Sequence, residues 1–184
     1  MKDLMNQVSF VYQDTFLFHM SIADNIRLGK KDATILEVED AAKKACCHDF
    51  ITKLQNGYDT VIGENGVHLS GGECQRITIA RAILKDAPVI VLDEATAFTD
   101  PENEHLIKKS FSNLTKNKTV IMIAHRLGSI IEADQIIVMD GGKVAEVGTH
   151  EQLLSGNGRY KMLWDSYDKA IEWKIENHGK EALA

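Results

Sequence analysis

The residues best placed for chemistry are two adjacent acids, Asp93 and Glu94, which end a short apolar run. The run, Val89-Ile90-Val91-Leu92, is β-branched and too short for a helix, so it predicts a buried parallel strand. Acids at the carboxyl end of such a strand lie where open α/β sheets bind their ligands. One acid there can bind Mg²⁺, usually through water, and the other can orient an attacking water. The pattern indicates phosphate chemistry, although apolar strands that end in aspartate are also common as plain core.

A glycine turn, Ser70-Gly71-Gly72, precedes this strand and opens a helix predicted for Glu73 to Leu84. The start of a helix presents unpaired backbone N–H groups and the positive end of the macrodipole, which together suit an anion. The two glycines leave room for a phosphate to approach the backbone. Ser70 and Glu73 also have the spacing of a capping box, which alone would justify both residues structurally.

Two more polar residues follow predicted strands. Gln13 comes directly after a strand predicted for Gln7–Tyr12, and His125 after a second buried parallel strand predicted for Thr119–Ala124. Taken alone, each would be interpreted as a solvated loop glutamine or a structural histidine. Whether they act together with Ser70–Gly72, Asp93 and Glu94 depends on the resemblance described below, which implies that residues 13, 70–72, 93–94 and 125 converge as half of a site for a triphosphate.

Composition limits the classes of protein that fit. The chain has 184 residues, enough for one domain with a core, and 44% hydrophobic and 26% charged residues are usual for a soluble protein. A net charge of −6 argues against a nucleic-acid surface as the main role. The three cysteines lack metal-ligand spacing, which favours a reduced, intracellular protein.

The segment between Gln13 and Ser70 predicts helices. Ser21 can cap a short helix that ends near Gly29, and Thr34 can cap a helix over Ile35–Cys46. A further short helix is predicted for His48–Leu54. Apolar residues in the loop before Ser21, such as Phe16 and Phe18, stand where a loop is usually polar.

Beyond the acids, the predicted elements alternate again between helix and strand. Asp100 can cap a helix with Pro101 at its first position. Asp140-Gly141-Gly142 predicts the turn of a hairpin between strands Gln135–Met139 and Lys143–Val147. Thr149 can cap a short helix, and aromatic residues from Tyr160 onward recur at helical spacing.

The string from Leu69 to Asp100, LSGGECQRITIARAILKDAPVIVLDEATAFTD, resembles the ABC-transporter ATPases from signature motif through Walker B to D-loop. The resemblance implies an α/β fold: a P-loop-NTPase-like (RecA-like) parallel sheet flanked by helices, with an all-helical signature subdomain inserted. It implies a helical subdomain over about 14–86, an α/β core over 1–13 and 87–155, and a C-terminal helix and tail over 156–184.

The resemblance also implies ATP and Mg²⁺ as cofactors. In the family, two such domains close head to tail, and each ATP lies between the P-loop of one and the signature of the other. Glu94 would be the general base and His125 the switch histidine, while Gln13 and Asp93 would reach Mg²⁺. The implied nucleotide-binding residues are Gln13, Ser70, Gly71, Gly72, Glu73, Asp93 and Asp100.

The implied partners are a second ATPase domain and the transmembrane domain of an exporter-type transporter, with no nucleic acid. The surface around Phe16 and Phe18 resembles the family segment where the transmembrane partner docks. The loop Thr60–Gly66 resembles the exporter-type loop, in which an acid near Glu64 touches the transmembrane couplers. The expected location is the cytoplasmic face of the cell membrane, and the cargo would be a small molecule, lipid or siderophore.

Three departures from the family pattern affect function. No G-x-x-x-x-G-K-[ST] occurs in the 184 residues, so the P-loop would lie before residue 1 and this chain alone is expected to be inactive. Glu73 stands where glutamine is more usual, and its carboxylate would repel a γ-phosphate unless it turns back to cap Ser70. The D-loop sequence Ala97-Phe98-Thr99-Asp100 is unusual, although Asp100 itself matches.

Two alternatives remain open from the sequence. One is a non-enzymatic regulatory or truncated module derived from the same fold. The other is the C-terminal lobe of a DNA-repair ATPase head, which also carries a signature and a Walker B motif. Such lobes follow long heptad coiled coils, and no heptad pattern is present here.

Overall fold

The computed structural model describes residues 2–12, 15–63, 66–93, 101–124 and 127–169. The chain divides into two compact units, Met1–Ile123 and Ala124–Ala184, and each has its own hydrophobic core.

A parallel three-stranded sheet forms the α/β part of the first unit. Its strands are β1 (Val8–Val11), β2 (Val89–Asp93) and β3 (Thr119–Ile123), in the order β1-β2-β3. Val89 of β2 pairs with Val8 on one side and with Thr119 on the other, so the strands start level and their carboxyl ends share one edge. The predicted α/β class with a parallel sheet is confirmed.

Six helices accompany this sheet among the described residues of the first unit. The longest central one, α5, buries Ile77, Ile79 and Ala80 completely and contacts α2, α3, α6 and β1. None of the helices in the described ranges combines the length and apolarity that a membrane span requires. The six helices are α1 (Lys2–Gln7), α2 (Ile22–Arg27), α3 (Ile35–Lys44), α4 (His48–Ile51), α5 (Gly71–Lys85) and α6 (Pro101–Thr115).

Three local predictions need correction. Helix α4 ends at Ile51 rather than at Leu54. Gln7 belongs to a helix, α1, rather than to the strand, which begins at Val8. Helix α3 ends at Lys44 instead of Cys46, because Cys46 adopts the left-handed conformation (φ 53°) that ends a right-handed helix. The caps predicted for Ser21, Thr34 and Thr149 are confirmed, since each side chain accepts a hydrogen bond from the first turn of its helix.

The prediction that the strand at Thr119–Ala124 is buried is wrong. All five residues of β3 are exposed, including Ile121 and Ile123 at 52% and 51%. Among the strands of the described ranges, β3 lies at the edge of the sheet and pairs with β2 only. Its apolar run carries no information about whether neighbouring elements cover it, so burial could not be predicted from the run alone.

The second unit contains an antiparallel hairpin of β4 (Ile136–Asp140) and β5 (Lys143–Gly148). Gly141 and Gly142 form the turn with φ of 53° and 76°, which favours glycine at both positions. Helix α7 (His150–Ser155) and a helix over residues 159–169, α8, follow. Their core includes Ile136, Val138, Leu153 and Tyr160, and His150 Nδ1 lies 2.8 Å from Tyr160 Oη.

Candidate functional site

The glycine turn forms the capped start of α5. Ser70 is the N-cap, with extended backbone, and its Oγ accepts a hydrogen bond from Glu73 N–H at 3.3 Å. Glu73 Oε2 in turn accepts from Ser70 N–H and from Ser70 Oγ–H, each at 2.8 Å. The capping box read from the sequence is therefore confirmed, and the carboxylate of Glu73 turns back onto Ser70.

Gly71 occupies the first position of this helix with open space around it. A Cβ built on Gly71 would meet no heavy atom within 4 Å. The backbone N–H groups of the first turn of a helix have no partner inside the helix, apart from those that caps engage. Ser70 and Gly71 are both exposed, so the turn leaves an accessible surface with a positive dipole end.

Arg76 lies one turn further along α5 and is buried. Its guanidinium stands over the ring of Phe50, 5.4 Å from the ring centroid. Burial lowers the pKa of Arg76, and the nearby Glu73 carboxylate works in the opposite direction. Burial likewise raises the pKa of the Cys74 thiol, which the Glu73 charge reinforces.

The second group of predicted residues follows the level carboxyl ends of the sheet. Asp93 is the half-buried last residue of β2 and pairs in register with Ile123, the last residue of β3. On the other side Leu92 pairs with Val11, the last residue of β1. Among the described residues no hydrogen bond joins Asp93 to the Ser70–Glu73 turn.

Several predicted residues lie outside the described ranges. Gln13, Glu94, Asp100 and His125 are among them, as is Glu64 of the loop that resembles the exporter-type loop. In the sequence, Gln13 comes two residues after β1, Glu94 one residue after β2, and His125 two residues after β3. Their roles stay predictions.

Asp93 fits the kind of site that Mg²⁺ uses with a nucleotide. Within the described ranges no group of three or more His, Cys, Asp or Glu side chains could hold a metal by itself. A nucleotide-bound Mg²⁺ does not require such a group, because it takes one or two protein ligands and completes its shell with phosphate oxygens and water. A single carboxylate at the end of a parallel strand is consistent with that arrangement.

A partly buried polar network that sequence reasoning missed connects α5 to Asn25 of α2. Arg81 of α5 donates from Nε to Asn25 O at 2.9 Å and from Nη2 to Asn25 Oδ1 at 3.2 Å. Burial lowers the pKa of Arg81, whose described acceptors are amide oxygens rather than carboxylates. The sequence held one signal: no acid stands three or four residues from Arg81, so its charge needs distant partners.

Asn25 also hydrogen-bonds to the loop before α2, here called the aromatic loop because it carries Phe16 and Phe18. Its amide accepts from Phe18 N–H at 2.9 Å and donates to Phe18 O at 3.0 Å. It donates further to Met20 O and Ser21 O. One fully buried side chain therefore fixes the backbone of the loop that carries Phe16 and Phe18.

The aromatic loop exposes an apolar surface. Phe16 and Phe18 are 66% and 44% exposed and form an edge-to-face pair with centroids 4.8 Å apart. A shallow cavity of about 300 Å³ opens beside Phe16 and extends to Arg81 and Lys85. Lys85 Nζ donates to Val8 O and Met5 O, so α5 also holds the start of β1.

Comparison with known families decides the assignment. The family model for the ABC transporter matches residues 1–97. The chain belongs to the ABC transporter family. This result agrees with the fold of a solved structure described as a bacterial Atm1-family ABC exporter with ATP bound. The two match with a TM-score of 0.79 and 42% identity, over 90% of this chain and 29% of that one.

Relatives of this ABC chain are fused ATP-binding/permease proteins. It is 54% identical over 164 residues to the mycobactin import ATP-binding/permease protein IrtA of Mycolicibacterium thermoresistibile, which covers 89% of this chain and 18% of that protein. It is 48% identical over 163 residues to the putative multidrug export ATP-binding/permease protein YgaD of Bacillus subtilis, covering 89% and 28%. The chain thus spans less than a third of the length of these relatives.

Proposed function

We propose that this chain supplies the signature and the hydrolytic residues of an ABC-type ATPase that drives transport across a membrane. The observation that carries the proposal is the level sheet edge, where β1, β2 and β3 end one or two residues before Gln13, Glu94 and His125 in the sequence. Ligands of open α/β sheets bind at such edges. The capped and open turn at Ser70–Gly71 supports a phosphate-facing role for the start of α5.

The two groups of residues serve two nucleotides in this proposal. Ser70, Gly71 and Gly72 face the γ-phosphate of an ATP held by a second ATPase domain, with Glu73 and Asp100 beside them. Asp93 and Gln13 would hold a Mg²⁺ bound to the other ATP, and that ion would supply positive charge to neutralise the phosphates. Glu94 accepts a proton from the attacking water, and His125 contacts the γ-phosphate.

In this proposal the aromatic loop contacts the transmembrane domain and transmits movement to it. Phe16 and Phe18 offer an exposed apolar surface that suits a transmembrane domain, and the Asn25–Arg81 network anchors that surface to α5. Movement of the signature helix on nucleotide closure would therefore be transmitted to the loop. The site of action is the cytoplasmic face of a membrane. The relatives are named for import of mycobactin and for multidrug export, so the cargo class proposed is a small molecule, lipid or siderophore.

We expect residues 1–184 alone to show no micromolar affinity for MgATP, because the sequence contains no P-loop to hold the phosphates. Isothermal titration calorimetry measures this directly. The matched comparison is a chimeric domain in which a relative's segment carrying G-x-x-x-x-G-K-[ST] is joined before residue 1. The chimera should bind MgATP at micromolar concentration and hydrolyse it.

Either of two results would contradict the proposal. A micromolar dissociation constant for residues 1–184 alone would show that phosphate binding does not require the P-loop. A chimera that binds MgATP but never hydrolyses it would favour the alternative of a non-enzymatic regulatory module. The permease names of the relatives already favour a transporter over a DNA-repair ATPase head.

Gly71→Ala should separate stability from function. The added methyl group meets open space and removes backbone freedom from the unfolded chain, so unfolding should become harder by about 0.5 kcal/mol. The same methyl group stands where a phosphate must approach, so ATPase activity of the chimera should fall by about tenfold or more. Thermal unfolding and steady-state hydrolysis measure the two effects.

Gly29→Ala is the contrasting control for the same chemical change. Its Cβ would lie 2.2 Å from Arg81 O, a backbone atom, so the variant should lose about 2 kcal/mol or more of stability. A Gly71→Ala chimera with full activity would mean that no phosphate approaches this turn.

A further inference from the structure

Three described helices start with a capping box. Two of these boxes contain a glutamate and one contains a glutamine, so comparing them shows what the charge of Glu73 adds. The α3 box pairs Thr34 with Glu37, the α5 box pairs Ser70 with Glu73, and the α7 box pairs Thr149 with Gln152. In α7 the amide oxygen of Gln152 accepts from Thr149 N–H at 2.9 Å, and Gln152 N–H donates to Thr149 Oγ1 at 3.3 Å. A neutral glutamine therefore closes the box fully.

The two glutamate boxes contain one additional bond. Thr34 Oγ1 donates to Glu37 Oε2 at 3.0 Å, and Ser70 Oγ donates to Glu73 Oε2 at 2.8 Å. In the α7 box, the described bonds show the threonine hydroxyl only as an acceptor. In both glutamate boxes the carboxylate thus accepts a hydrogen bond from the hydroxyl of the N-cap residue, whereas no such bond is described in the glutamine box of α7.

At Ser70 that proton matters for the proposed function. The hydroxyl of Ser70 is the side-chain donor that the signature turn offers to a γ-phosphate. In this structure the Ser70 hydroxyl already donates its hydrogen bond to the Glu73 carboxylate. The negative charge of that carboxylate offsets the positive dipole end of α5. Arg76, one turn away, is the basic residue whose pKa the Glu73 charge affects.

We propose that Glu73 weakens the hold of the signature turn on phosphate by competing for the Ser70 hydroxyl. The inference rests on the proposed function, because it assumes that a phosphate reaches this turn. Capping does not require the charge, since Gln152 caps α7 without one. An incoming triphosphate must displace the Ser70 hydroxyl from Glu73 Oε2 while the carboxylate keeps its bond from Ser70 N–H.

The test is a titration of the full chain with inorganic tripolyphosphate at low ionic strength. Changes in the amide chemical shifts of residues 70–74 report binding at the turn. Wild type, Glu73→Gln and Glu37→Gln are compared. Glu73→Gln should bind about three to ten times more tightly than wild type, because one repulsive charge is gone and one hydroxyl donor is released. Glu37→Gln, the same substitution in an equivalent box, should leave the affinity at residues 70–74 unchanged.

The outcomes separate this inference from the proposed function. If the amide signals of residues 70–74 shift in both wild type and Glu73→Gln, and the two affinities are equal, the inference about Glu73 is wrong. The proposal that this turn faces a phosphate is then retained. If neither variant shifts there, or the starts of α3 and α7 shift equally, the turn is no phosphate site and both fall. At 1 M salt, where the screening length is about 3 Å, the advantage of Glu73→Gln should shrink. Thermal unfolding of each variant confirms that it is folded.

Discussion

Glu94→Gln should lower the ATPase rate of the chimeric domain by about 100-fold or more. Glu94 follows Asp93, the residue that ends β2 at the ligand-binding edge of the sheet. A carboxylate there can take the proton that the attacking water loses as it adds to the γ-phosphate. Glutamine has nearly the same shape but accepts no proton at neutral pH, so binding should persist while turnover stops. Phosphate release measures turnover, and calorimetry measures MgATP binding.

Glu104→Gln is the control for the loss of one negative charge. Glu104 lies on α6, where its carboxylate pairs with Lys108, and such surface pairs contribute little. Its chimera should hydrolyse ATP at close to the parental rate. Activity of the Glu94→Gln chimera within about threefold of the parent would remove Glu94 from the role of base, since a general base contributes far more than that.

Local sequence signals predicted the elements that carry the signature. The helix predicted for Glu73–Leu84 is observed as Gly71–Lys85, and the strand predicted for Val89–Leu92 is observed as Val89–Asp93. Both are defined by nearby residues: a capping box starts the helix, and Asp86 in the left-handed conformation follows its end. Information within one or two turns of chain was sufficient.

Long-range features could not be predicted in the same way. The partners of Arg81 are Asn25 and Phe16, 56 and 65 positions away in the sequence, and no periodicity connects them. The exposure of β3 likewise depends on which elements lie beside an edge strand. The resemblance to a known family, rather than composition or spacing, supplied the roles of Gln13, Glu94 and His125.

Asn25→Ala should destabilise the first unit by about 2 to 4 kcal/mol. The substitution removes five hydrogen bonds made by one fully buried amide, to Phe18 N–H, Phe18 O, Met20 O, Ser21 O and the Arg81 guanidinium. Alanine can replace none of them, so partly buried carbonyl groups and the Arg81 guanidinium each lose a partner. Urea unfolding followed by far-UV circular dichroism measures the change. Tryptophan fluorescence would not, because Trp164 and Trp173 both belong to the second unit.

Asn113→Ala is the matched control, because Asn113 is an exposed asparagine with one bond, from Nδ2 to Lys44 O at 2.7 Å. It should cost less than about 1 kcal/mol. The mechanical role proposed for the network adds a second readout: hydrogen exchange at the Phe18 amide, which donates to Asn25 Oδ1, should accelerate in Asn25→Ala. If Asn25→Ala costs no more than Asn113→Ala and leaves Phe18 protected, the aromatic loop is held by something other than α5. The signature helix could then not move it.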